Sequence, residues 1–321
     1  MTYIELPYDL QVALEQQTSG IKLSLLISDA SDLSERYRNE SGKGNRLLTK
    51  DSQAAAYSVV RMPATYGAVY TALSSSLMHI GKDEFKTLLD VGAGTGAGTW
   101  ACDQLLSLSL TTCLERENAM SKLGKKMMDG CDNFINTEWI NADITKDDMQ
   151  HSADLVICSY VLNELSSDTR MSVVDKIWKC TDKMLLIVEP GTPSVFDEMR
   201  DIRTHLLGQG AHLLAPCTHE GLCHVESPDW CHFTCRIART KLHRLLKSGD
   251  APYEDEKFTY MAFTKAQCSK AVSRIRRHPH IEPGKITLEL CTASGLISRM
   301  YTKKDKEMFK KARKSDCNDE I

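Results

Sequence analysis

The sequence predicts an α/β fold organised around a mostly parallel sheet, on three observations. Strand-like apolar runs alternate with helix-length amphipathic stretches from Phe85 to about residue 207. The first of these strands, Leu88–Val91, runs into a glycine-rich turn, Gly92-Ala-Gly94-Thr-Gly96-Ala-Gly98. After Lys257 strands follow one another without an intervening long helix, which predicts an antiparallel C-terminal edge.

Taken in order, residues 1–80 are expected to form a helical extension, since apolar side chains recur at helical spacing through Leu10–Leu14, Ile21–Leu26 and Ala54–Val60. Pro63 in Arg61-Met-Pro-Ala-Thr-Tyr66 marks the first turn of a new helix. A Rossmann-like domain over 81–214 is then expected, with strands at 86–91, 110–115, 137–141, 153–159 and 183–189. The helices between and after them fall near 98–108, 117–129, 167–180 and 193–207, the last opened by Thr192-Pro193 as cap and first-turn proline. Residues 215–250 read as a Cys-rich insertion. Residues 251–321 read as strands at 257–264, 285–291 and 295–301 completing the sheet, followed by a basic helical tail.

Composition removes several classes. Hydrophobic content of 42% and charged content of 26% are those of a globular protein, and no apolar run reaches the ~20 residues of a membrane span. The N-terminal stretch carries Glu5, Asp9 and Glu15 and no arginine, which predicts a cytoplasmic protein without a leader. In a reducing compartment the twelve cysteines are core residues, reactive thiols or metal ligands rather than disulfides. Residues 1–200 hold 19 basic and 28 acidic side chains, whereas 201–321 hold 21 and 15, so the C-terminal third is the part suited to a polyanion.

The glycine turn places backbone N–H groups at a helix N-terminus, a cradle for a nucleotide-type ligand. Gly92-x-Gly94-x-x-Ala97 also satisfies the dinucleotide pattern, and a purely structural strand-turn-helix would look the same. Asp90 favours S-adenosylmethionine (SAM) over NAD, because a carboxylate facing the crevice repels a pyrophosphate and pairs with an ammonium. Glu115, ending the second strand, is placed to accept ribose hydroxyls, and Asp143, after the third, the adenine amino group. The cofactor-binding set is therefore Asp90, Gly92, Gly94, Gly96, Glu115 and Asp143, with Asp143 alone equally readable as a turn residue. Ser159-Tyr-Val-Leu-Asn163-Glu164-Leu165, after the fourth strand, lacks the Asn-Pro-Pro-aromatic signature of amino-methylating enzymes. No catalytic residue is assigned, and Asn163 and Glu164 read equally as helix caps.

Between Cys217 and Cys235 lie four thiols, at 217, 223, 231 and 235, with His219, His224 and His232 among them. Soft thiolates at irregular spacing point to a metal or iron-sulfur site, zinc being the default from chemistry alone. Cys231 and Cys235, four apart, can ligate together or pack. A Pro216-Cys217 nucleophile and unliganded buried cysteines are the other readings.

Arg61-Met-Pro-Ala-Thr-Tyr66, Asp90-Val-Gly-Ala-Gly94, Glu189-Pro-Gly-Thr-Pro193, Pro216-Cys217, Trp230-Cys-His-Phe233 and Phe258-Thr-Tyr-Met-Ala-Phe263 together resemble the methyltransferase-like family of the mitochondrial small ribosomal subunit, in its bacterial-type form. The resemblance covers about residues 1–315 and implies a SAM-dependent methyltransferase fold, association with the small ribosomal subunit or its rRNA rather than with DNA or a membrane, and a 4Fe-4S cluster. It implies Cys217, Cys223, Cys231 and the distant Cys291 as ligands, leaving Cys235 surplus and zinc as the alternative. Asp316-Cys-Asn-Asp319 departs from the Trp-Gly-Asp of the relatives. Two functions follow: an rRNA methyltransferase, or a ribosome-assembly factor that keeps the fold as scaffold. Arg236, Arg239, Lys241, Arg244, Lys247, Arg274, Arg276, Arg277 and the tail are candidate phosphate contacts, or else a solvated surface. The same choice applies to Arg36, Arg38 and Arg61.

Overall fold

The computed structural model describes residues 3–40, 48, 50–247 and 249–321, and the side chains of all of these except 37–40. The expected side-chain contact of Arg38 lies outside the described residues.

A short strand β1 (Tyr3–Ile4) precedes helices α1 (Tyr8–Thr18), α2 (Leu23–Glu40), α3 (Asp51–Val60) and α4 (Met62–Ser76). Pro63 sits in the first turn of α4, where its missing N–H costs nothing, so the break expected at Arg61 separates two helices. The alternating region supplies β2 (Thr87–Val91), α5 (Ala97–Asp103), β3 (Leu110–Glu115), α6 (Asn118–Met128), β4 (Thr137–Asn141) and β5 (Ala153–Ser159). It continues through α7 (Ser167–Lys179), β6 (Thr181–Pro190), α8 (Pro193–Gly208) and β7 (His212–Ala215). Helix α5 is shorter than expected. Leu105, Leu106 and Leu108 extend the apolar spacing and pack on the core, but from a turn that brings the chain back to β3.

Strands β8 (Phe233–Ala238) and β9 (Tyr253–Thr264) flank α9 (Lys241–Leu246). They precede β10 (Ser273–Ile275), β11 (His280–Glu282), β12 (Lys285–Thr292), β13 (Gly295–Thr302) and α10 (Lys306–Lys314).

The main sheet runs β1-β8-β9-β6-β5-β2-β3-β4, with β6-β5-β2-β3-β4 parallel. Strand order reverses between β5 and β2, which opens a crevice at their carboxyl ends, where open α/β sheets bind ligands. This is a Rossmann-like sheet. One face is covered by α3–α6 and the first helices, around Leu10, Val69, Trp100 and Phe258. The other is covered by α7 and α8, around Val174, Ile177, Met199 and Phe263.

The C-terminal strands depart from expectation in two ways. β9 is antiparallel to β6, as expected, but it is interior: β8 pairs with its first half and β7 with its last residues, both along the same side. The segment expected as an insertion thus contributes β8 to the main sheet. Strands β10–β13 do not complete that sheet but form a second, four-stranded antiparallel one, whose core is Ile275, Ile286, Leu288, Leu290, Tyr301 and Ala312 of α10. The physical reason is alternation: β12 buries only every second residue and needs a helix on that face, which the amphipathic α10 provides.

Candidate functional site

The glycine turn between β2 and α5 is left-handed at Gly92, Gly94 and Gly96, with φ of 69°, 58° and 89°. At Gly92 a Cβ would lie 2.4 Å from Cγ2 of Val161, so only glycine lets the segment after β5 close over the turn.

Asp90 does not face the crevice as expected. It is 0% exposed, and its Oδ2 accepts from the Thr99 N–H (3.0 Å) and Thr99 Oγ1 (2.8 Å), while Oδ1 is buried without a partner. Burial pushes its pKa up to about 7 against those two hydrogen bonds. The alternation of β2 turns this side chain under the loop, toward the first turn of α5, so it shapes the cradle from below.

Glu115 reaches the cradle directly. Its Oε2 accepts from Gly94 N–H and its Oε1 from Glu117 N–H, each at 2.7 Å, and burial raises its pKa against those bonds. Asp143 is held as a turn residue. Its Oδ1 accepts from the N–H and Oγ1 of Thr145 (3.1 and 2.6 Å) and its Oδ2 pairs with Lys146 (3.1 Å). Partial burial pushes the Asp143 pKa up, but these contacts outweigh it and leave it low.

Glu189, at the end of β6, was not singled out by sequence for any role at this site. It is buried, and it accepts from the N–H groups of Val161 (3.2 Å), Leu162 (2.9 Å) and Asn163 (3.3 Å), fixing the chain after β5. An acid at a strand end, followed by Pro-Gly-Thr-Pro, was the available signal. Burial raises its pKa to about 8 from an ordinary 4.5. The folded state therefore binds a proton that the unfolded state releases between those values, and stability falls as pH rises through that window. In Glu189→Gln, urea midpoints measured from pH 5 to 8 are expected to show a flatter decline than wild type; an identical decline would mean Glu189 contributes none of it.

Glu164 completes an acidic mouth with Glu115 and Glu117. Among the described residues no hydrogen bond or ion pair holds its carboxyl. Burial raises its pKa to about 7, Arg116 opposing and the two other glutamates adding. Tyr160, at φ 58°, donates to Glu256 (2.8 Å), which also pairs with Arg61 (3.5 Å). Arg61 is therefore tied to the crevice and is not free surface.

The Cys loop leaves β7 and returns at β8. Cys217, Cys223 and Cys231 are on it, and Cys291 comes from β12. The four thiols lie in one another's electrostatic field. Burial pushes Cys217 up to about 11, with Arg203 opposing and Cys223 and Cys291 adding; it raises Cys231 too, with Cys217, Cys223 and Cys291 adding and Arg276 opposing. Cys291 is raised by burial and by Cys223. Among the described residues, no group of three or more His, Cys, Asp or Glu side chains is placed to hold a metal ion. The expected metal-binding insertion is thus not shown.

Cys235 stands apart. It is buried on β8 against α4, where a Cβ on Gly67 would lie 3.3 Å from its Sγ. The stretch is a strand and not a helix, so the four-residue spacing does not bring it beside Cys231 as a co-ligand.

Most of the basic groups expected to meet phosphate are spent internally. Arg236 pairs with Asp255, Arg239 and Lys247 with Glu254, Arg274 with Glu320, and Arg276 and Arg277 with Asp229. The tail differs in part: on and before α10, Lys303, Lys306, Lys310 and Arg313 line a groove of about 470 Å³ with Phe309 and Glu307, and Glu307 pairs with Lys310 (2.8 Å).

The family profile described as "Mitochondrial small ribosomal subunit Rsm22" matches residues 51–321. The chain belongs to the Rsm22 family. It is 25% identical over 271 residues to the human "Ribosome assembly protein METTL17, mitochondrial", covering 78% of this chain and 57% of that protein. It is 24% identical over 358 residues to the Schizosaccharomyces pombe "Rsm22-cox11 tandem protein 2, mitochondrial", covering 94% of this chain and 47% of that one. The chain thus spans about half the length of these curated relatives. The expected cytoplasmic location is overturned by these matches, because the family and its curated relatives are mitochondrial by description. Acidic residues near Met1 were a weak guide to compartment.

Solved structures with loose likeness include a putative RNA methyltransferase from Pyrococcus horikoshii, with TM-score 0.41, 14% identity, and coverage of 74% of this chain and 96% of that one. Another is the plantazolicin methyltransferase BpumL in complex with SAH, with TM-score 0.45, 11% identity, and coverage of 76% and 98%.

Proposed function

We propose that this Rsm22-family chain is a SAM-binding, methyltransferase-like assembly factor of the small ribosomal subunit. The observation that carries the SAM reading is an acidic rim: Glu115 accepts from the Gly94 N–H of the glycine turn, and Glu117 and Glu164 lie in its electrostatic field. Such a rim repels a pyrophosphate and attracts a ligand bearing ammonium and sulfonium charge. Glu115 meets the ribose, the Gly92–Gly96 backbone cradles the methionine portion, and Asp90 acts through the loop it braces. The exposed cations of α10 supply a face for rRNA phosphate, and Phe309 an aromatic surface beside it.

A second reading, methyl transfer to rRNA, is favoured by Glu164. A carboxyl with a pKa of about 7 beside the crevice is suited to accept a proton from a reacting amine or hydroxyl.

For the Cys loop we infer a 4Fe-4S cluster on Cys217, Cys223, Cys231 and Cys291. The donor set supports it: four thiols in mutual electrostatic range, three from the loop and one from β12, with buried arginines beside them. The cluster would supply a cross-link between the loop and β12. The residues around it exclude water and hold the loop.

Isothermal calorimetry is expected to give saturable SAM binding and none for NAD; NAD binding without SAM would overturn the assignment. Labelled SAM with small-subunit precursor RNA separates the two readings, since incorporation that disappears in Glu164→Gln selects the enzyme.

A further inference from the structure

We propose that Arg203 and Arg276 are the counter-charges of the thiolate-bound group at Cys217, Cys223, Cys231 and Cys291, and that they set its reduction potential. The proposal rests on the cluster assignment above, but its starting point is independent of it.

Arg203, on α8, is 4% exposed, and among the described residues it has no carboxylate partner. A buried guanidinium without an anion is rare in a folded protein, because desolvating the charge is costly unless something compensates it. Its Nη2 donates to the carbonyls of His219 (3.0 Å) and Gly221 (2.7 Å), between Cys217 and Cys223, while its Nε–H is buried with no acceptor. Arg276, just past β10, is equally buried. Its Nη2 meets Asp229 (2.5 Å), two residues before Cys231, and its Nε–H is also buried with no acceptor. The two guanidiniums thus brace the Cys loop at separate points, each with one charged donor unused. Each also acts electrostatically on the thiols, Arg203 on Cys217 and Arg276 on Cys231 and Cys291.

Four thiolates around an iron-sulfur core leave a net negative charge, which becomes more negative when the core takes up one electron. Fixed positive charge beside it stabilises the reduced form more than the oxidised form and raises the potential, one of the levers by which a protein tunes such a centre. Carbonyl bracing alone would not do this.

The test uses the full chain purified anaerobically. Iron and sulfide per chain, with absorbance at about 400 nm, report whether the cluster is present. Dye-mediated titration with dithionite as the one-electron donor then gives the midpoint. Arg203→Gln and Arg276→Gln are expected to shift the midpoint to more negative values, further in the double variant, and Arg203→Lys and Arg276→Lys to return it toward wild type. Glutamine variants that keep their iron with an unmoved midpoint would overturn the proposal. If the glutamine variants lose iron, retention in the lysine variants supports the role of charge, and loss in both overturns it. Wild-type chain with neither iron nor sulfide would remove the cluster assignment itself, and the proposal with it.

Discussion

Replacing Arg274 by alanine is expected to destabilise the fold by about 3–5 kcal/mol, the usual effect of removing one partner from a buried charged network. Arg274 is 1% exposed and uses all three nitrogens. Nε donates to Pro216 O (2.9 Å), Nη1 to Ser75 Oγ (2.6 Å) and Asn318 O (2.8 Å), and Nη2 to Glu320 Oε1 (2.8 Å). One side chain thus joins α4, the residue before Cys217, the C-terminal stretch and the second sheet. Its loss strands Glu320, which among the described residues keeps His79 (2.8 Å) as its side-chain partner, and leaves the Pro216 and Asn318 carbonyls without this donor. Urea unfolding of wild type and variant measures the change; a loss under about 1 kcal/mol would show that water replaces the network.

Gly92→Ala is expected to weaken SAM binding at least tenfold, on the order of 1.4 kcal/mol or more. The new methyl would sit 2.4 Å from Val161 Cγ2, at φ 69°, where an L-residue costs about 1–2 kcal/mol. Either the turn or the segment held by Glu189 must move, and both border the crevice. Adding Val161→Ala relieves the contact but not the backbone strain, so calorimetry on the double variant is expected to recover part of the affinity. Full wild-type affinity in Gly92→Ala alone would place the ligand away from this turn.

These two residues mark what could be read beforehand. Gly92 was legible, because a strand-turn-helix with glycines at fixed offsets is a local pattern. The five parallel strands were legible as short strand-like segments between helix-length stretches, β5 and β6 most plainly because their centres are continuous apolar runs. Asp90 was identified but its direction was not: facing crevice or core depends on the register of β2 against β3 and β5, which is non-local. Glu189 and Arg203 belong to different elements from the groups they hold, so spacing carried no trace of them. Cys291 came from family resemblance alone, since its neighbours are 60 or more residues away along the chain.

The strand β9 has one further consequence. Ala215 pairs with Ala262 and Phe233 with Phe258, so both ends of the Cys loop are fixed to the same strand, four positions apart. At ~3.3 Å per residue the ends are held about 13 Å apart along the strand. The 17 residues from 216 to 232 are therefore a chain with clamped ends, and most of its closure entropy is already lost when the main sheet forms. Three of the thiols consequently meet at an effective concentration set by sheet topology, and only Cys291 has to be delivered from elsewhere.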